Sequence, residues 1–515
     1  MRMTGQRKEE KEDNMKKAIA LLLAAALAAL LLVGCAQQTT EQDRVLNYCL
    51  DGDINSADPN FRTLTAEHNL YRQIYEPLYF VNHNSGEMEP RLAESYTISD
   101  DGLVYTFRIK QGVKFHDGSE VKATDVAFTV ERAAASTYIG TTVANFESAS
   151  ALDEYMVEIR LTAPYASFLE NVVQLYVLPR AYYESVGADG FAEKPIGCGP
   201  YRMKERVVGS SITLEAFDEY YRGVAPIKTV VMHIFSDSTA AAVALETGEI
   251  NIMDVNTANY EKFNAMDTIT IAQSESPHIT CVHMNSEVYP FDNPLVRKAV
   301  NYCVNRAFMV EVAVDGIGKE TSNIVSPMMF GYDENAVTYD YNPEKAKELL
   351  AEAGISTPLN IGTIGATSFG EKIAPILQEN LAAIGLNADI EVTDSSFIDA
   401  ACKGNYTIGI MGLVVYNGVA WDMDAYSILF DSEAIDAFNL PRISNPRIDE
   451  LFRLGRSAIN DEARLAYYKE LNDLVQEDSG WVMLYNRYTT IGYSSDLNLT
   501  LYAPNVIYFY DCRWK

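Results

Sequence analysis

The chain lacks an apolar run long enough to span a bilayer. Its longest, Ala18 to Val33, is 16 residues, against the roughly 20 that a membrane helix needs. Several chemistries are missing with it. No Cys-x-x-Cys pair or Cys/His cluster offers a zinc site, and neither Gly-x-Ser-x-Gly nor His-Glu-x-x-His occurs, which removes the signatures of a hydrolase elbow and a zinc protease. Gly316-Ile317-Gly318-Lys319 has neither the spacing nor the following Ser/Thr of a phosphate loop. The six histidines, at 68, 83, 116, 233, 278 and 283, are scattered and read as surface or turn residues. Basic residues are scarce, 41 against 71 acidic for a net charge of −30, so the surface repels nucleic acid and anionic headgroups. These absences point away from an enzyme, a cofactor, a metal centre and a nucleic-acid partner. A secreted glycosidase with paired carboxylates stays open only because so many acidic residues always place some pair at a workable separation.

What is present first is a leader. Met15 to Cys35 reads MKKAIALLLAAALAALLLVGC. Lys16 and Lys17 form a basic segment, the apolar run follows, and small residues close it beside a cysteine, the three parts of a secretory signal. The ending Leu32-Val33-Gly34-Cys35 resembles the bacterial lipoprotein box, which implies cleavage before Cys35 and lipidation of its thiol. The highly charged MRMTGQRKEEKEDN ahead of it places the expected start of translation at Met15. Without residues 1–34 the mature part carries 35 basic and 67 acidic residues, and the lipidated tether 35–44 leads to the folded part. Six of the seven cysteines then remain, Cys49, Cys198, Cys281, Cys303, Cys402 and Cys512; six allow 15 pairings and the spacing selects none. Cys303 shares a predicted helical face with Val296, Val300 and Ala307, which favours a buried free thiol.

The folded part opens with a strand, Val45 to Leu50, and a turn-rich stretch, Asp51 to Asn60. Leu70, Tyr71 and Ile74 repeat at helical spacing within Ala66 to Tyr75, and Asn82 to Glu89 reads as a hairpin loop. Tyr96 and Ile98, then Val104 to Ile109, alternate with polar residues on either side of Asp100-Asp101-Gly102, which predicts an antiparallel hairpin. Lys114 to Gly118 is expected to end a further strand in a second Asp-Gly turn. A helix follows, with Thr124 as the expected N-cap and Val126, Phe128, Val130 and Ala133 continuing it.

This region is similar to the signature segment of the family 5 extracellular solute-binding proteins, the peptide, oligopeptide and nickel class that feeds ABC importers. The residues that carry the likeness are PRLAESY from Pro90, YTFRIKQGVKFHDG from Tyr105 and ATDVAFTVER from Ala123. Further matches follow in order: PIGCGPY from Pro195, with Cys198 in the usual threonine position, FDEYYRG from Phe217, ALETGEI from Ala244, FDNPLVRKAVNYCVNR from Phe291 and YNPEKAKELLAEAG from Tyr341. The collinear order extends the resemblance over residues 45–515.

Strand and helix signals alone support a mixed α/β protein of more than one domain. The resemblance implies more: a two-lobed periplasmic-binding-protein-like α/β fold around a central ligand cleft, with an extra subdomain. Lobe one would comprise 45–79, 180–282 and 486–515, the extra subdomain 80–179, and lobe two 283–485. Val482 to Tyr485 and Ile279 to Met284 would be the strands crossing between lobes, where closure bends. The implied partners are a small-molecule or peptide ligand, the ABC permease subunits and, through the lipid, the membrane; the expected state is a monomer.

A binding cleft needs apolar walls and a few placed polar groups. Gly409 to Tyr426 passes from an apolar strand into a loop carrying Tyr416, Asn417, Trp421, Asp422 and Asp424. In peptide-binding members this position resembles W-x-x-D-Y-x-D-P, whose carboxylate pairs with a peptide's ammonium. Here Leu413 replaces the first aromatic and the Asp-Pro is missing, so Asp422 or Asp424 would supply the charge after a shift of a few residues. Solvated turn aspartates and a packing Trp421 are the alternative. Asn55 and Asp58 would face the cleft from the first loop by family analogy, or form an ordinary Asp-Pro turn.

The expected role is a lipid-anchored exported binding protein that captures di- or oligopeptides by lobe closure. Another solute (oligosaccharide, metal chelate, opine) or a surface signal or pheromone receptor on the same fold are the alternatives. Two acyl chains on Cys35 give stable anchoring where one is marginal. Cys35→Ala is expected to release the protein into the medium or periplasm; retention in membranes after a carbonate wash contradicts the anchor.

Overall fold

Two large mixed sheets organise the structure, a computed structural model that describes residues 44–61, 64–82, 85, 87–394, 396–413 and 422–515. Residues 46–515 form one unit; of the separate unit 1–45 only Arg44 and Val45 are described. The expected signal and Cys35 lie outside the described residues.

Leu46–Leu50 is apolar on nearly every residue because it is flanked on both sides. It pairs in parallel with Thr229–Ile234 and Ile252–Asp254 at the middle of a seven-stranded sheet. Antiparallel strands complete it: Ser211–Ala216 and Tyr201–Val207 at one edge, Thr489–Ser494 and Ile269–Ser274 at the other. The helix Thr65–Ile74 packs Leu70, Tyr71 and Ile74 into this sheet's core beside Leu214 and Val230.

A six-stranded sheet runs Gly318–Glu320, Trp481–Arg487, Ile279–Met284, Ile408–Leu413, Leu359–Thr367, Leu386–Thr393. Its core includes Val296, Val300 and Cys303 of the helix Pro294–Cys303, packed with Leu350, Ile364, Leu377 and Leu484. Cys303 is the buried thiol the pattern predicts, pushed up to about 12 by burial. Ala307, however, is exposed: the helix stops at Val304, and Asn305 caps a new helix, Arg306–Ala313, by accepting the Phe308 N–H. Among the described residues all six cysteines are free.

The predicted hairpin forms between Ala93–Ile98 and Val104–Ile109, and Met156–Leu161 and Phe146–Ala151 extend it to a four-stranded antiparallel sheet. Against it lies the helix Ala123–Ala134. Thr124 is not its cap. The helix begins after Lys122, whose N–H donates to the Asp125 carboxylate at 2.8 Å. Lys114 to Gly118 forms no strand, only an isolated bridge from Lys114 to Glu120.

The PIGCGPY turn has a steric reason. Gly199 donates its N–H to the Ile74 carbonyl at 2.8 Å, and a Cβ there would meet Ile74 carbonyl atoms at 2.6 Å. His116 braces the same turn, its Nδ1 accepting the Gly197 N–H at 3.2 Å and its Nε2 lying 3.1 Å from the Gly199 oxygen.

The crossings between sheets fall elsewhere than expected. Ile279–Met284 and Trp481–Arg487 lie wholly within the six-stranded sheet and pair with each other. The strands just beyond them, Ile269–Ser274 and Thr489–Ser494, pair within the seven-stranded sheet. The passage between sheets is confined to residues 275–278 and to Tyr488.

Gly199→Ala should destabilise the fold by about 3 kcal/mol, because backbone faces the added methyl and no flexible side chain can yield. A lowered urea midpoint checks this; an unchanged midpoint contradicts it.

Candidate functional site

Three of the carboxylates expected at a cleft are spent inside the protein. Asp422 is 0% exposed. It accepts the Tyr468 hydroxyl at 2.5 Å and the Asp424 N–H at 2.7 Å, with Arg464 at 3.4 Å. Arg464 itself lies over the Phe330 ring at 3.8 Å. Asp424 is buried and held by Arg456 at 2.9 Å. Burial pushes both carboxyls up, and the guanidiniums of Arg464 and Arg456 oppose the rise. The expectation that one of them stands open to a ligand's ammonium is therefore corrected: each already has a guanidinium partner, and giving it up would strand a buried charge.

Asp58 is also fully buried. It meets Arg132 at 2.9 Å and accepts the Asn60 N–H at 3.0 Å, while Arg132 stacks on Tyr183 at 3.9 Å. Asp58 thus fastens the first loop to the helix Ala123–Ala134 and does not face a cleft. Asn55 is exposed on that loop, its N–H donating to Glu67 at 2.9 Å. Tyr416, Asn417 and Trp421 lie outside the described residues. The strand leading to them ends at Leu413, paired with Ile279.

The region around the four-stranded sheet meets the helices Pro446–Ser457 and Asp461–Asp478. Ala166 donates its N–H to the Arg456 carbonyl at 2.8 Å, and Ile459 lies against Gly102. Glu170 belongs to this contact. Burial pushes its carboxyl up to about 7, with Asp422 and Asp461 adding to the rise and Arg464 opposing it.

A cavity of about 480 Å³ lies at the two crossings. It opens beyond the carboxyl ends of the parallel strands Leu46–Leu50, Thr229–Ile234 and Ile252–Asp254, where open α/β sheets bind ligands. Asp51, Phe235, Met253 and Asp254 line it from the seven-stranded sheet, Ile317 and Arg487 from the six-stranded side, and His278 and Tyr488 from the crossings themselves. Asp254 lines the cavity as an exposed residue. Its carboxyl is pushed up to about 6 by desolvation, the Asn505 amide opposing and Asp51 adding. His278 is pushed down to about 4 by burial, with Arg487 lowering it further, so the imidazole is neutral at pH 7.

Sequence reasoning did not single out these residues. His278 and His283 read as surface or turn residues, yet His278 stands half-buried at a crossing and His283 is fully buried between Trp481 and Phe397. The one available signal was that the conspicuous run ALETGEI leads directly into Ile252–Asp254, whose end faces the cavity.

Two mixed sheets joined by paired crossings, with a cavity at the join, define a two-lobed binding protein of the periplasmic type. The fold is shared with the substrate-binding protein CtaP of Listeria monocytogenes, a solved structure of TM-score 0.84 and 24% identity that covers 92% of this chain and 99% of its own. The chain belongs to the bacterial extracellular solute-binding proteins of family 5, whose "Middle" model matches residues 87–437, about two-thirds of its length. Haemophilus influenzae heme-binding protein A is 28% identical over 446 residues, covering 80% of this chain and 81% of that one. The Escherichia coli dipeptide-binding protein is 26% identical over 475 residues, covering 85% and 88%. Members of this family bind small molecules or peptides and work with ABC permeases.

Glu170 gives a test of the packed contact. Its folded-state value lies above the ordinary 4.5, so it is harmless below that pH and costs stability as pH rises through about 7. Glu170→Gln should therefore gain on the wild type by on the order of 2 kcal/mol between about pH 5 and about pH 8. Denaturant unfolding at both pH values checks it; the same difference at both contradicts the contact.

Proposed function

We propose that this chain is the lipid-anchored substrate-binding subunit of an ABC importer, exported to the outer face of the cell membrane, where it captures di- or oligopeptides and delivers them to the permease. Lobe one is 45–79, 180–274 and 489–515, the extra subdomain 80–179 and lobe two 279–487, with bending at 275–278 and Tyr488. The observation that supports this most is the cavity walled by residues of both large sheets beside both crossings. A solute there touches both lobes, so it binds the closed arrangement better than the open one, which population shift requires. The dipeptide-binding relative adds weight to the peptide class.

A different solute is the second reading, favoured by the internal pairing of Asp422 and Asp424, which removes the carboxylate expected to receive a peptide ammonium.

Residues 36–515, screened against a broad peptide library, should show a melting temperature raised by several degrees and a reduced scattering radius with at least one pool, since a ligand at 100 times its Kd stabilises by about 2.7 kcal/mol. No shift and no change in radius with any pool contradicts peptide capture.

A further inference from the structure

The region 80–179 is fastened to one large sheet and only touches the elements of the other. Its ties toward the seven-stranded sheet are deep. Leu78 and Cys198 complete its core beside Phe107 and Val126. The ion pair of Asp58 with Arg132 is buried, and Phe80 meets the rings of Tyr502 and Tyr508 edge-on at 5.2 and 5.3 Å. The region therefore moves with the seven-stranded sheet. The helices Pro446–Ser457 and Asp461–Asp478 belong to a different core, in which Leu451, Tyr468 and Leu471 pack with Ile279, Cys281 and Trp481 of the six-stranded sheet. The seam between the region and these helices includes neither crossing, so bending at 275–278 and Tyr488 has to part it.

The seam has the make-up of a contact that separates. Its backbone link is the hydrogen bond from the Ala166 N–H to the Arg456 carbonyl, and Ile459 lies over Gly102 and Pro164 while remaining exposed. Arg464 Nε and Asn171 Oδ1 are buried there without a hydrogen-bond partner among the described residues, whereas a permanent core pairs such groups. Glu170 stands in the seam on the short helix Phe168–Val172. Asp422 and Asp461 face it with like charge and Arg464 with opposite charge. The next charged groups along the seam, Asp424 and Arg456, face the buried Tyr165. Arg464 is already shared, at 3.4 Å from Asp422 and 3.2 Å from Asp461, so one guanidinium serves three carboxyl groups. A proton on Glu170 removes the surplus negative charge.

We propose that this seam is a proton-operated latch, in which protonated Glu170 holds the region 80–179 against the helices of lobe two and ionised Glu170 releases it. The inference rests on the two-lobe reading and not on the identity of the solute. Closed in the seam, the carboxyl is pushed up to about 7 by burial, and once the seam opens to water it returns toward the ordinary 4.5. The closed arrangement is thus favoured fully below the lower value and loses that advantage as pH rises through the upper one. Any solute held by closure is bound more tightly in acid than in alkali.

The test is hydrogen exchange on the full-length protein in detergent without any ligand, at steps from pH 5 to pH 8. The reporter is the Ala166 amide, its protection expressed against an unstructured amide at the same pH, and the reference is the set of amides in Met156–Leu161 inside the four-stranded sheet. In the wild type, Ala166 protection should fall about tenfold or more between pH 5 and pH 8. In Glu170→Gln it should change by less than about threefold, with Met156–Leu161 steady in both. Asp461→Asn, which changes an exposed residue and removes one of the like charges, should move the wild-type midpoint to lower pH. Equal pH dependence in the wild type and Glu170→Gln, no pH dependence in the wild type, an unmoved midpoint in Asp461→Asn, or loss of protection in Met156–Leu161 together with Ala166 overturns the latch. Because no solute is added, such a failure leaves solute capture standing, and a failed peptide screen leaves the latch standing.

Discussion

The antiparallel pairing that runs from Ile269–Ser274 with Thr489–Ser494 into Ile279–Met284 with Trp481–Arg487 is the constraint on which the rest depends. It places two chain passages side by side, one of four residues and one of a single residue, between two sheets with separate cores. Short paired passages restrict relative motion of the sheets to bending about one line, because other motions would break ladder hydrogen bonds or pull strands out of cores. The register holds the passages together: the Arg487 N–H donates to the His278 carbonyl, and the Ser274 and Thr489 hydroxyls meet at 2.7 Å.

The same pairing makes the cavity. Strands running parallel at the middle of the seven-stranded sheet deliver Asp51 and Asp254 to one wall, and the final residue of Trp481–Arg487 delivers a guanidinium to the other. Elsewhere the protein pairs its buried charges carefully: Asp58 with Arg132, Asp422 with Arg464, Asp424 with Arg456 and Arg297 with Asp478. The contact of Ala166 with Arg456 and of Gly102 with Ile459 adds a second place where the region around the four-stranded sheet meets helices that pack on the six-stranded sheet's side.

Much of the fold is legible in the sequence, because strand alternation, Asp-Gly turns and collinear motifs are local signals. The hairpin around Gly102 and the buried helix face at Val296, Val300 and Cys303 are read from spacing alone. Boundaries are less legible. Thr124 loses the cap to Lys122, whose N–H the Asp125 carboxylate accepts, and the face that spacing extends to Ala307 breaks at Val304 because Asn305 starts a second helix. The site is hardly legible. Whether Asp422 is a ligand carboxylate or half of a buried pair depends on Arg464 and Tyr468, more than forty residues on, and no local pattern joins them. Asp254 and Arg487 are far more distant in sequence and meet one cavity only through sheet topology.

The central claim is that a solute held at the crossings bridges the two sheets. A crystal structure of the gently isolated protein with its co-purified ligand tests it most directly. The account predicts ligand density in the cavity at Asp254 and Arg487, in contact with residues of both sheets. Density confined to one sheet, or bound away from residues 275–278 and Tyr488, would contradict it.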